Sequence, residues 1–120
     1  MRLPRKHSMS QRAEFQRVRD SGKSKAGRFL IVGTLADDSL PHLMVGIITT
    51  KRIGKAHERN LVRRRVRALL QRHGDALADP RRYLVTIPRK GAPDASFAAL
   101  EKDWLKQARR LGLLIAGPDR

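Results

Sequence analysis

The run KRIGKAHERNLVRRRVRALLQR, residues 51 to 72, constrains this chain more than any other stretch, because nine of its 22 residues are Lys or Arg and its one acid is Glu58. From Ala56 onward it contains no Gly or Pro and is rich in good helix formers, so the spacing predicts a helix of about four turns. At roughly 100° per residue Val62, Val66, Leu69 and Leu70 share one face. Arg59, Arg63, Arg67, Asn60 and Arg64 fall on the neighbouring arc. Arg59 lies nearest the apolar edge, a position that works where the first turn overhangs the core.

Cations three or four apart on a helix repel one another by a few tenths of a kcal/mol per pair. A solvated helix relieves this by alternating signs, and here only Glu58 compensates. The arrangement calls for a polyanion with closely spaced charges. Arginine outnumbers lysine in the helix, and a flat guanidinium grips phosphate with two hydrogen bonds and stacks on bases, which an ammonium cannot do. The net charge of +16 over 120 residues makes nucleic acid the leading partner and an anionic membrane surface the lesser fit. No amphipathic segment has the aromatic and leucine face that membrane binding needs, and no run of 18 apolar residues occurs. With no Cys there is no disulfide, thiolate zinc site or cysteine nucleophile, and a reducing cytoplasm is the expected setting. The basic N-terminus lacks the apolar run of a signal peptide, so a soluble protein that is not exported is expected.

The length predicts a single domain, residues 1 to 120, with a basic arm over 1 to 7 and a tail over 113 to 120. Ser8 with Gln11 fits a capping box opening a short helix that carries Phe15 and Val18 and ends before Gly22. A polar connector from Gly22 to Gly27, with room for a short edge strand, leads to a strand over Arg28 to Leu35. Asp37, Asp38, Ser39 and Pro41 make a turn. His42 to Thr50 reads as the next strand, and the short loop predicts that the two form an antiparallel hairpin. After the basic helix come a third strand, Arg81 to Ile87, closed by Pro88, and a last helix introduced by Pro93 and Asp94. Its residues Phe97, Leu100, Trp104, Leu105, Ala108 and Leu111 follow helical spacing, which places Trp104 in the core rather than on a base. The expected class is α+β, an α/β sandwich with about three helices on a small mixed sheet.

Catalytic machinery is hard to find. His7, His42, His57 and His73 show no metal-binding spacing, and no metal ligand set is expected. Asp37 and Asp38 fall in a turn, Glu101 and Asp103 on a helix surface, and capping or solvation accounts for each. Phosphate-binding glycine loops are absent.

The segment KRIGKAHERNLVRRRVRALL resembles the signature of the bacterial ribonuclease P protein component through Lys51, Arg52, Gly54, Ala56, Arg59, Asn60, Arg63, Arg64 and Arg67. Similarity continues through Phe15-Gln16-Arg17-Val18 with Gly22, Arg28-Phe29, Val45-Gly46, Arg89-Lys90 and the closing helix. The resemblance implies a sandwich shared with the second domain of a ribosomal protein, in which the strand, basic helix, strand unit crosses over left-handed, against the usual preference. It further implies a subunit that binds the catalytic RNA of ribonuclease P and the 5′ leader of precursor tRNA, with Mg²⁺ carried by the RNA and no cofactor bound by the protein alone.

On this resemblance Lys51, Arg52, Lys55, Arg59, Asn60, Arg63, Arg64, Arg67, Arg89 and Lys90 contact RNA. Phe15, Arg19, Phe29 and Gly33 belong to a cleft for the leader, where ring stacking is tolerant of sequence. Arg19 and Gly33 stand where relatives often have rings, Leu61 replaces a usual basic residue, and Thr49-Thr50 occupy a region that usually contains Ser. A ribosomal-type RNA-binding protein is the main alternative. A DNA-binding regulator fits less well, since a strand precedes the basic helix where a helix-turn-helix needs a helix, and the carboxylates offer no site for an independent nuclease.

Overall fold

A computed structural model describes residues 7 to 114. The expected arm and tail therefore fall mostly outside the described residues. The elements are α1 (Arg12–Ser21), β1 (Lys23–Ala26), β2 (Leu30–Ala36), β3 (Met44–Ile47), α2 (Ala56–His73), β4 (Arg82–Pro88) and α3 (Phe97–Arg110). Leu113, expected in a tail, is 1% exposed in the core, and Leu114 bridges Leu77.

The strands form one mixed sheet in the order β1-β2-β4-β3. β4 runs antiparallel to β2 and parallel to β3. The expected hairpin between β2 and β3 does not form; the hairpin in the fold joins β1 to β2. The reason lies in β4, whose Tyr83 to Thr86 are all buried. A strand apolar on both faces has to sit in the middle of a sheet, and β4 takes that place by separating β2 from β3.

Alternation along the strands divides the core in two. Leu30, Val32, Val45 and Leu84 face α2 and α3, meeting Val62, Val66, Leu69, Leu70, Leu100 and Trp104. Tyr83 and Val85 face the other way and pack with Met9, Val18, Phe15 and Ile87 under α1. Trp104 is fully buried and donates its indole N–H to Thr86 Oγ1 at 3.3 Å.

Two helix starts differ from expectation. Ser8 and Met9 stay extended against the outer edge of β3, with a Ser8 to Val45 bridge and Met9 N–H donating to the Val45 carbonyl at 2.8 Å. The chain turns helical only after Gln11, whose N–H donates to Glu14 Oε1 at 3.0 Å, so the capping acid is Glu14 and Ser8 is not the cap. Likewise Pro93 and Asp94 form a separate 3₁₀ turn, and Ser96 caps α3 by accepting from the Ala99 N–H at 3.0 Å.

Asp103 ties α3 to the sheet. Its carboxylate accepts from the N–H groups of Arg28 (3.3 Å), Phe29 (2.9 Å) and Leu30 (2.9 Å), which lead into β2. The approach is so close that a Cβ at Gly27 would collide with the Asp103 carboxylate. Glu101 joins the two helices, accepting from Arg72 and lying against His73 Nε2, each at 2.8 Å. The Arg72 guanidinium, and after it the His73 ring, hold the Glu101 carboxyl below its ordinary value of 4.5.

Two outcomes are expected. Asp103→Ala strands three N–H donors and lowers stability by about 2 kcal/mol, read as a lower urea midpoint at unchanged slope. The folded pKa of Glu101 lies below its unfolded value, so its stabilisation is complete above 4.5 and is lost as pH falls through the folded value. Glu101→Gln should therefore lower the thermal midpoint at neutral pH, with the gap to the parent closing in acid.

Candidate nucleic-acid interface

The basic segment enters α2 through a 3₁₀ turn over Lys51–Ile53 and then Gly54, whose φ of +143° suits glycine. Lys55 precedes the helix, and its N–H donates to Glu58 Oε1 at 2.9 Å. The acid that looked like charge compensation is thus a first-turn cap, near the positive end of the helix dipole. Ile53 anchors the turn in the core while Lys51, Arg52 and Lys55 remain exposed.

Val62, Val66, Leu69 and Leu70 are buried as the spacing predicts. Arg63, Arg64, Arg67 and Asn60 are exposed, and none of them makes a hydrogen bond or ion pair among the described residues. Arg59 differs: it is half-buried and donates from Nη1 to the Gly54 carbonyl at 2.9 Å, bracing the entry turn. The helix's remaining arginines are also structural. Arg65 donates to the Ala95 carbonyl, and Arg72 pairs with Glu101.

Below α1 lies a cleft of about 340 Å³. One wall carries Arg12, Phe15, Gln16 and Arg19, which are neighbours at helical spacing, and the floor is Ile31, Gly33, Val85 and Ile87. The product is an apolar floor with a cationic rim. Gly33 is open to the cleft, and a Cβ there would meet nothing nearer than 3.7 Å. Phe29 does not line this cleft. It packs against the core on the α2 and α3 side, with the Arg28 guanidinium 5.2 Å from its ring centre. Phe29 sits in the turn just before Leu30, where β2 begins, so the cleft position that the resemblance implied for it is not the one it takes.

Phe15 also lines a second hollow, together with Gly46, Arg63 and Arg67. The ring therefore stands between the α1 cleft and the arginines of α2, and the two sites join into one surface. Phe15 rests on bare backbone: a Cβ at Gly46 would run into the edge of its ring at Cε1. Arg52, Arg89 and Lys90 meet separately, around a notch at the ends of β3 and β4. Arg89 also donates to the Gly27 carbonyl at 2.6 Å. Among the described residues no group of three His, Asp or Glu side chains is placed to hold a metal ion.

Residues 3–112 match the family model of ribonuclease P. The chain belongs to the ribonuclease P protein family. The ribonuclease P protein component of Syntrophomonas wolfei is 31% identical over 118 residues, covering 98% of both chains. That of Thermus aquaticus is 37% identical over 100 residues, 83% of this chain and 57% of the relative. In fold, the Staphylococcus aureus RNase P protein superposes with a TM-score of 0.82 at 23% identity, covering 91% of this chain and 98% of that one. The Thermotoga maritima RNase P protein gives 0.75 at 24% identity, covering 92% and 98%.

Within this family member, reading the sequence missed Arg12, Gln16 and the isoleucine floor of the cleft. The signal for Arg12 was present in its spacing to Phe15 and Arg19, whereas the floor requires the strand pairing. The glycines give a direct check on the cleft. Gly46→Ala should push the Phe15 ring from its seat and lower the urea midpoint, whereas Gly33→Ala should leave the midpoint at or above the parent value.

Proposed function

We propose that this chain is the protein subunit of a ribonuclease P ribonucleoprotein, binding the catalytic RNA and the 5′ leader of precursor tRNA and assisting removal of that leader. The observation that carries the reading is the continuity of Arg63 and Arg67, unpaired among the described residues, with Phe15 and the α1 cleft. Cations beside an apolar trough suit a single strand, whose phosphates take the charge while its bases lie on apolar surface. Arg63, Arg64, Arg67 and Asn60 bind backbone, with Lys51, Arg52, Lys55, Arg89 and Lys90 extending the interaction around the entry turn. Arg59 acts mainly through the shape of that turn. In the cleft Phe15 stacks on a leader base, and Arg12 and Arg19 hold the phosphates either side.

In this reading the hydrolytic chemistry belongs to the RNA and its Mg²⁺, and no step passes through a metal held by the protein. The protein supplies fixed positive charge where two polyanions must approach. Neutralising their phosphates releases condensed counterions, which makes assembly steeply salt-dependent. No helix among the described residues is long and apolar enough to cross a membrane; in this reading the protein works alongside its RNA in the cytoplasm.

Adding the parent protein to ribonuclease P RNA at low magnesium should accelerate leader removal, and the protein alone should cleave nothing. Arg63→Ala with Arg67→Ala should weaken RNA binding and reduce the slope of log affinity against log salt by about 1.5, at roughly 0.7 to 0.9 for each phosphate that is no longer neutralised. Its thermal midpoint should stay near the parent value, because neither guanidinium has a partner among the described residues. A protein that binds RNA yet leaves the cleavage rate unchanged would instead be a stoichiometric ribosomal-type binder.

A further inference from the structure

Besides the cations around α2 and the α1 cleft, the described residues carry a second cluster on α3 and β1. On α2 the free arginines lie on the side that faces Phe15 and β3, while Arg65 and Arg72 on the other flank are tied to Ala95 and Glu101. On α3, at 100° per residue, Lys102, Lys106, Arg109 and Arg110 occupy an arc of about 100° opposite Trp104. All four are exposed. The flank of α3 that carries Asp103 is fastened to the start of β2, which turns Lys106 and Arg110 toward edge strand β1.

β1 adds to the same patch. Lys25 pairs with Val32 and Lys23 with Thr34, and directly opposed residues share a face of the sheet, so both lysines stand on the side that α3 covers. β1 is exposed throughout and is an edge strand with no further partner among the described residues. The nearest acid, Asp103, is occupied by backbone N–H groups and by Gln107. Lys23, Lys25, Lys102, Lys106 and Arg109 have no hydrogen bond or ion pair among the described residues. Lys102, Lys106 and Arg110 follow one another at four-residue spacing and repel.

With β1 and β3 at opposite edges of a four-stranded sheet, three strand spacings, about 14 Å, separate the edge strands before side chains are added. Between the two cationic surfaces, on the outer side of the helices, run Leu61, Ala68 and the Arg72–Glu101 pair, a nearly neutral ridge. One strand lying in the α1 cleft and along α2 does not reach the far side of α3.

We propose that the α3–β1 edge is a second nucleic-acid surface, which takes the phosphates of a double-helical RNA segment while α2 holds another, so that one protein molecule bridges two RNA segments. The bridging rests on the RNA reading of α2 given above; the second surface does not. A helical RNA segment is the fitting occupant because the exposed side chains of the patch are Lys and Arg, while Leu105 and Phe29 beside it are turned into the core, which leaves no apolar face to enter a membrane. Lysines spaced along a helix and an adjoining strand match phosphates arrayed on a convex rod.

The test uses the full chain. Biotinylated ribonuclease P RNA on beads, loaded with parent protein, is washed and offered a labelled RNA hairpin of about 20 base pairs, longer than one protein module spans. Protein-dependent capture of the hairpin is expected. Lys102→Glu with Lys106→Glu and Arg109→Glu should melt like the parent and hold the bead RNA within about twofold, yet weaken hairpin capture tenfold or more, since reversing three charges leaves three phosphates unneutralised and adds repulsion. Arg63→Ala with Arg67→Ala should show the converse: poor loading on the bead RNA, with direct hairpin binding retained. If the parent captures no hairpin, if the triple variant captures it fully, or if phosphatidylglycerol vesicles bind this edge and the hairpin does not, the second surface is wrong. If instead the Arg63 and Arg67 variant loads normally, the α2 reading fails while the α3–β1 result stands.

Discussion

Four apolar side chains on α2 make the rest of this molecule possible. Val62, Val66, Leu69 and Leu70 are all at or below 1% exposure. Burying such residues contributes roughly 1.5 to 3 kcal/mol each, against a few tenths for each like-charge pair on the same helix. The comparison is one-sided, so the helix can hold unneutralised guanidinium groups in fixed positions without coming apart. Their spacing is set by the core, and a ligand does not have to organise them first.

The sheet then decides what those charges stand beside. Because β4 lies between β2 and β3, the parallel β3–α2–β4 unit brings the basic entry turn to the ends of two neighbouring strands, next to Arg89 and Lys90. The opposite face of the same strands is left to α1, which covers it only in part. Gly33 and Gly46 mark the two consequences: one leaves depth in the cleft, and the other lets Phe15 settle on backbone at the border with Arg63 and Arg67. The candidate surface thus runs from the α1 face of the sheet round the edge at β3 to α2.

What the sequence made legible was local. The buried stripe of α2, its free arc and the burial of Trp104 all follow from helical spacing, and the motif around Arg59 and Asn60 pointed to the family. What it hid was held by distant partners. Asp103 looks like any surface carboxylate because its acceptor role involves residues 73 to 75 positions away. Ser8 reads as a helix cap until Val45 claims it as strand. The place of β4 depended on which strand needed cover on both faces, and a short loop between β2 and β3 could not reveal that. Phe29, given to the cleft by resemblance alone, lies in the turn before β2 and packs on the α2 and α3 side.

The lid over the cleft is unequally fastened. Val18 is the single buried residue of α1, and beside it the helix relies on half-buried Phe15 and on Arg17, which pairs with Asp37 at 3.2 Å and reaches the Tyr83 hydroxyl at 3.4 Å. Elements with so little apolar anchorage open at low free-energy cost compared with the strands beneath them. The groove therefore has a stiff floor and a yielding roof, and its width can change without any change in the sheet that fixes its depth.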